Sequence, residues 1–476
     1  HCLTDSCNAA EDIKRHARKS SGMLFDKIPF RHYNRWDDGK VNHLFVYNLN
    51  DSSVSLLTPG EYNTPPFALA GYPSYAISPD GGEVCYVMNT DPGAALSTNN
   101  DLFLAPVDGG NHERITENKA NDSKPHYSPN GKYIAYCAMS RPGFESDKNN
   151  LIVYNRTNGE LTNLTIGFTH SVGSIIWAYD SKTIYFTAID RSWNSLFQVS
   201  LKKKEIKKVL TGSVRWDFQL SPDNRKIVYT QILPERPVEL FSYDMKKKQE
   251  VRLTYCTEDL FSQINITPPD HFWFEGTLGD SIHGMLTLPP DFDELSRYPL
   301  VLLIHGGPQW TWLDEFNYYG WNKYLVAAQG YIVAQIDPHG SRGYGQKFAD
   351  AVTLDWAGND YKDLMMGVDY LIAENDFIDE NRLAAMGRSY GGFMVNWIEG
   401  QTDRFNCLIS VDGDFDQVSA YYTTEELWFP EWDFGGTPWE NPELYHERSP
   451  LTYVNNFNTP CLIIHGQLDY RVDLSQ

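Results

Sequence analysis

Residues 383–393 read L-A-A-M-G-R-S-Y-G-G-F. The opening residues suit a buried strand, and Gly387, Ser389 and Gly391 fit the pattern G-x-S-x-G. That spacing suits a serine carried on a sharp strand-to-helix turn. Strained backbone there tolerates little side chain, so glycines two residues before and two after let the turn close and the helix pack. The next backbone amide, that of Tyr390, can then point at a developing oxyanion. A glycine-rich turn with a solvated serine is the competing reading of five residues alone. The surroundings decide between them.

Working outward, residues 298–304, Y-P-L-V-L-L-I, form a continuous apolar run, as in a parallel strand covered on both faces. Strands are expected at 272–276, 281–288, 331–336, 383–386, 407–411 and 461–464, with helical spacing over 361–375. Strand–helix alternation of this kind means an α/β domain with a mostly parallel sheet, in three α/β/α layers. Sites in such sheets lie beyond the carboxyl ends of the strands. His305-Gly306-Gly307-Pro308 follows one strand and matches the H-G-G loop whose amide complements the one after the serine. Gly307 and Tyr390 are therefore the expected oxyanion donors. Asp469, in H-G-Q-L-D-Y-R-V, follows the last strand, where a carboxylate can orient a histidine and stabilise its cation. No histidine follows Asp469. His465 and His305 sit in H-G turns and His446 in an acidic loop, so the base is expected beyond Gln476, in a chain cut at its end.

Upstream, a different grammar rules. Ser78-Pro79-Asp80-Gly81 recurs as Ser128-Pro129-Asn130-Gly131, Ala178-Tyr179-Asp180-Ser181 and Ser221-Pro222-Asp223-Asn224, at spacings of 50, 50 and 43 residues. Six positions after each start stands a β-branched residue, Val84, Ile134, Ile184 or Ile227. Eight positions after stands an aromatic, Tyr86, Tyr136, Phe186 or Tyr229. Short strands ending in Leu/Ile-Thr recur at Thr58, Thr116, Thr165, Thr211 and Thr254. A period of 40 to 50 residues with several short strands per repeat is a β-propeller blade. Four blades and part of a fifth are expected over 1–267, with further blades before His1, and the α/β domain over 268–476. Residues 1–40 fit no repeat and are expected to form a loop and helix between blades.

The net charge of −22 argues against nucleic acid or an anionic membrane as partner. No run of about 18 apolar residues exists. Seven cysteines form no C-x-x-C pair, so neither a disulfide framework nor a zinc site is read; a Cys2–Cys7 bridge stays open. No cofactor is expected.

Together the motifs resemble the prolyl oligopeptidase family of serine peptidases, in its acylaminoacyl-peptidase and dipeptidyl-peptidase 5 branch. They are G-R-S-Y-G-G-F, H-G-G-P, D-P-H-G-S-R-G-Y-G-Q-K-F at 337–348 and D-W-A-G-N-D-Y-K-D-L-M at 355–365. W-F-P-E-W-D-F-G-G-T at 428–437, H-G-Q-L-D-Y-R-V and R-H-Y-N-R-W at 31–36 complete them. The resemblance covers nearly the whole chain. It implies Ser389 as nucleophile, Asp469 as triad acid and the amides of Gly307 and Tyr390 as oxyanion hole. Arg388 and Asp473 depart from the family pattern without touching the triad.

The implied activity is a serine exopeptidase working on short peptides through an acyl-enzyme, with the propeller as a steric filter. Whether it removes dipeptides or acylated residues stays open, because the carboxylate that would capture a free amine cannot be picked from 62 acidic residues. The aromatic segment 421–439, with Trp428, Phe429 and Trp432, is the expected pocket wall; a packed lid or a homodimer contact is its alternative. A carboxylesterase of the same fold and a catalytically incomplete propeller binding protein are the rival functions. The resemblance to exported bacterial enzymes points toward periplasm or secretion.

Overall fold

The computed structural model describes residues 4–316 and 321–476. Among these residues, four four-stranded antiparallel sheets cover 75–114, 122–163, 175–210 and 214–252, each with its strands paired in chain order. A two-stranded pair, Phe45–Tyr47 with Val54–Leu56, precedes them. The repeated residues explain the repeated shape. Ser78 donates to the Asp80 carboxylate (2.6 Å) and accepts the Glu83 N–H (3.0 Å), which closes the turn and starts the next strand. Ser128 with Asn130 and Tyr133, and Ser221 with Asp223 and Lys226, repeat the arrangement. In the third copy, alanine replaces this serine, and the backbone pair Ala178 N–H to Thr183 C=O (2.9 Å) closes the turn without it.

The threonine endings have a job as well. Thr58, Thr116, Thr165 and Thr254 each accept, at 2.9 Å, the backbone N–H of Leu44, Leu102, Leu151 or Leu240 on the neighbouring strand. The β-branched and aromatic repeat positions are all buried. They pack between successive sheets: Val87 and Leu102 of one sheet against Ile134 and Tyr136 of the next, then Ala135 and Cys137 against Ile184 and Phe186. Sheets stacked face to face in this way are the blades of a β-propeller.

The second part is one seven-stranded sheet. Its strands are β1 (Asp270–Glu275), β2 (Ser281–Thr287), β3 (Tyr298–Ile304), β4 (Ile332–Asp337), β5 (Ile378–Arg388), β6 (Cys407–Val411) and β7 (Cys461–Ile464). The order is β1-β2-β4-β3-β5-β6-β7, antiparallel at β1–β2 and β2–β4 and parallel elsewhere. β3 shows why its run is apolar throughout. Leu300, Leu302 and Ile304 enter one core, and Val301 and Leu303 enter another on the opposite face. Helix α1 (Asn359–Glu374) packs on this sheet, and α2 (Tyr390–Gln401) follows β5. Helices α3 (Gln417–Thr423) and α4 (Trp428–Asp433) follow β6.

The propeller lies against the α/β half. Arg141 makes a two-pronged ion pair with Asp350 (2.8 and 3.0 Å), and the Arg191 N–H reaches the Gly343 carbonyl (2.9 Å). The N-terminal segment holds a helix, Asp5–His16. The hairpin at 31–36 reaches both halves, with the His32 ring centre 4.1 Å from the Phe67 ring centre. Arg31 pairs with Asp473 (3.2 Å) and lies 4.8 Å from the Tyr470 ring centre, which ties the segment to the α/β half. The Cys2–Cys7 pairing involves Cys2, outside the described residues.

Candidate active site

Ser389 stands between β5 and α2 with φ 57° and ψ −125°, a conformation costly for any residue bearing a side chain. Its N–H donates to the Val411 carbonyl (2.9 Å), and its own carbonyl accepts from Phe393 (2.9 Å), the first turn of α2. The flanking glycines are steric necessities. A Cβ on Gly387 would lie 2.3 Å from the Gly391 carbonyl oxygen, and one on Gly391 2.3 Å from that of Ile304. The loop after β3 passes over the serine. A Cβ on Gly306 would touch Ser389 Cβ at 3.4 Å, and Gly307 holds φ 127° against the backbone of Gln309 and Trp310.

Tyr390 fixes the start of α2. Its hydroxyl donates to Asp360, and its ring meets Trp356 edge-on at 4.8 Å. Burial pushes the Asp360 carboxyl up to about 7.

Gly307, Ser389 and Tyr390 line one cavity of about 200 Å³. Trp356, Tyr421, Phe429 and Phe434 supply apolar wall, and Glu145, Asp414 and Glu426 supply acidic groups. Of the three aromatics expected there, only Phe429 lines it. Trp432 stacks on Phe144 of the propeller at 4.6 Å. Trp428 is buried, and its indole N–H donates to Glu145 (3.1 Å). These two indoles contact Phe144 and Glu145 of the propeller.

The three carboxylates differ in state. Glu426 is buried and pairs with Arg471 (2.5 Å), which also holds Glu425 (2.9 Å). Burial raises the Asp414 carboxyl to about 7, reinforced by the neighbouring Asp469 charge. Glu145 comes from the propeller and accepts one hydrogen bond, from Trp428. Sequence reasoning missed Glu145, which no local signal marks, and Arg471, although Arg471 lies within the H-G-Q-L-D-Y-R-V motif.

Asp469 accepts the N–H groups of Arg471 (2.9 Å) and Val472 (3.1 Å) on one oxygen. Its carboxylate lies within 4.8 Å of ligand-capable atoms of Asp412 and His465. His465 Nε2 donates to the Val472 carbonyl (2.8 Å). His305 is buried, with Nδ1 donating to Gly306 C=O (2.7 Å) and Nε2 3.1 Å from Ser341 Oγ; burial lowers its pKa. Among the described residues no histidine hydrogen-bonds the Ser389 hydroxyl.

A serine on a glycine-flanked strand-to-helix turn, under a glycine loop and on a mostly parallel α/β sheet beside a propeller, is the arrangement of a serine hydrolase. The model of the prolyl oligopeptidase family matches residues 316–476. Dipeptidyl-peptidase 5 of Porphyromonas gingivalis is 33% identical over 98% of this chain and 69% of its own length. Dipeptidyl-peptidase 5 of Schizosaccharomyces pombe is 30% identical, over 96% and 68%. The acylaminoacyl peptidase of Pyrococcus horikoshii shares the fold, with a TM-score of 0.81 and 23% identity over 97% of this chain and 70% of that one. The chain belongs to the prolyl oligopeptidase family and is a serine-type exopeptidase.

Proposed function

We propose that the enzyme removes dipeptides from the free amino end of short peptides. Ser389 Oγ attacks the carbonyl of the second residue, and the amides of Gly307 and Tyr390 stabilise the oxyanion. A histidine oriented by Asp469, which the serine–aspartate–histidine order puts after it, takes the serine proton and gives it to the leaving amine. Water then hydrolyses the acyl-enzyme.

The observation that carries this reading is Glu145. A dipeptidyl peptidase must hold an ammonium group two residues before the scissile bond. Glu145 shares the cavity with Ser389 and carries a single hydrogen bond, whereas Glu426 is already paired with Arg471. The propeller is then part of the site and not only its cover. Phe429 and Phe434 would receive an apolar second residue. The names of the two relatives agree with this reading.

The test is the product pattern of the full-length enzyme on tetra-alanine and N-acetyl-tetra-alanine. Release of dialanine from the first, with the second resistant, is expected. Release of N-acetyl-alanine from the second, with the first resistant, would replace this reading by an acylaminoacyl one.

A further inference from the structure

Asp337 ends β4, the strand beside β3, and β3 runs straight into His305-Gly306-Gly307. Its side chain is buried, and among the described residues no lysine or arginine pairs with it. Within ion-pair range it meets only His283 (3.6 Å) and His305 (3.8 Å). It accepts three hydrogen bonds instead. The Trp312 N–H donates to one oxygen (2.8 Å), and the hydroxyls of Thr311 (2.9 Å) and Tyr344 (2.6 Å) donate to the other. Burying a carboxylate without a cation is costly, and only several converging donors offset the cost. Two of the three donors here belong to one short loop, the one that carries Gly307.

The residues between Gly307 and Thr311 have little freedom. The Trp310 N–H donates to the Pro308 carbonyl (2.8 Å), and the Trp310 carbonyl accepts the Arg342 N–H (2.8 Å) from the segment after β4. A Cβ on Gly307 would lie 2.6 Å from the Gln309 nitrogen. On the other side of the glycines, His305 Nε2 lies 3.1 Å from Ser341 Oγ, also from the segment after β4. The far end of the loop is fixed by the propeller, where the Asp314 N–H donates to the Ser192 carbonyl (2.9 Å). The Gln309 side chain meets Ser146 (3.3 Å) and Asp433 (3.4 Å) only at long range. A displacement at Thr311 and Trp312 therefore passes along a stiff link to Gly307. We infer that Asp337 is a positioning residue of the oxyanion hole: through Thr311 and Trp312 it sets where the Gly307 N–H points. Asp337 lies outside the lining of the catalytic cavity, so it acts through the loop and not on the substrate. An oxyanion donor is effective because it is fixed before the charge develops, and loosening it weakens the transition state without weakening ground-state binding. The inference rests on the proposed role of the Gly307 amide.

The test uses the full-length enzyme and two inhibitors. Alanyl-alaninal takes the Ser389 oxygen onto its carbonyl carbon, and the former carbonyl oxygen of that adduct occupies the oxyanion hole. Alanyl-alaninol has the same side chains and forms no adduct. For an enzyme with the acylaminoacyl product pattern, N-acetyl-alaninal and its alcohol take their place. The ratio of the two inhibition constants reads the hole. In Thr311→Val, which removes one loop donor and keeps the side-chain shape, the preference for the aldehyde and kcat are expected to fall together by about tenfold or more, while KM and the alcohol's inhibition constant hold. The limit is the roughly 10²- to 10³-fold that loss of a whole oxyanion donor costs. Asp337→Asn is expected to fall further toward that limit. Tyr344→Phe removes the third donor of the same carboxylate and none from the loop, so it should cost stability while the ratio and kcat hold. Gly307→Ala, whose methyl must shift this backbone, is the control for the hole itself. An unchanged ratio in Gly307→Ala overturns the role given to the Gly307 amide. A fallen ratio there beside an unchanged one in Thr311→Val overturns the inference alone. Aldehyde and alcohol weakened alike in Thr311→Val, or a ratio lowered as much by Tyr344→Phe, would also overturn it.

Discussion

Glu145→Gln is the most informative single change at the catalytic cavity. Glutamine keeps an oxygen to accept the Trp428 indole N–H, so the local packing has no reason to move. What disappears is one negative charge. A hydrogen bond between an ammonium and a carboxylate is worth about 1.5–3 kcal/mol in a partly desolvated site. That converts to a loss of roughly 10- to 150-fold in kcat/KM for a substrate with a free amine. The loss should fall mainly on KM, because the amine is far from the reacting carbonyl and is held equally in ground and transition states. The assay is initial-rate hydrolysis of alanyl-alanine p-nitroanilide beside its N-acetyl counterpart. The free-amine substrate should lose its advantage while the acetylated one keeps its rate. Equal losses on both would show that Glu145 serves structure. No loss on either would return the amine to Glu426 or Asp414, the other carboxylates of the cavity.

Three further outcomes follow from the packing. Gly391→Ala places a methyl 2.3 Å from the Ile304 carbonyl oxygen, which should cost about 1–3 kcal/mol in urea unfolding and remove most activity by shifting the elbow. Thr165→Val leaves the Leu151 amide without its acceptor, so the melting temperature should fall by an amount matching about 1–3 kcal/mol while kcat of the folded protein holds. Burial raises the Asp433 carboxyl to about 7, so its folded-state pKa exceeds the unfolded one. Its contribution is complete below about pH 4 and is lost as pH rises to about 7, by roughly 4 kcal/mol. Asp433→Asn should therefore gain on the wild type in thermal unfolding between pH 5 and pH 8, and parallel pH profiles would refute that assignment.

Local grammar was readable from residues. Strands β3, β6 and β7 have the bounds that their apolar runs suggested, and the S-P-D-G turns and threonine endings marked the blades because each works through its own neighbours. The elbow and the H-G-G loop were readable for the same reason. Glu145 was not, since its meaning depends on Trp428, 283 residues away in sequence and on the other half of the molecule. Aromatic richness marked α4 but could not say which side of that helix faces the cavity, so Trp428 and Trp432 were expected where only Phe429 lies.

The central claim is that Ser389 is the nucleophile of this serine peptidase. Its most direct test is to treat the full-length protein with a fluorophosphonate and map the adduct by mass spectrometry. A single adduct on the peptide carrying Ser389, absent in Ser389→Ala protein that still binds tetra-alanine, is the predicted result. An adduct on another serine, or hydrolysis that survives Ser389→Ala, would contradict it.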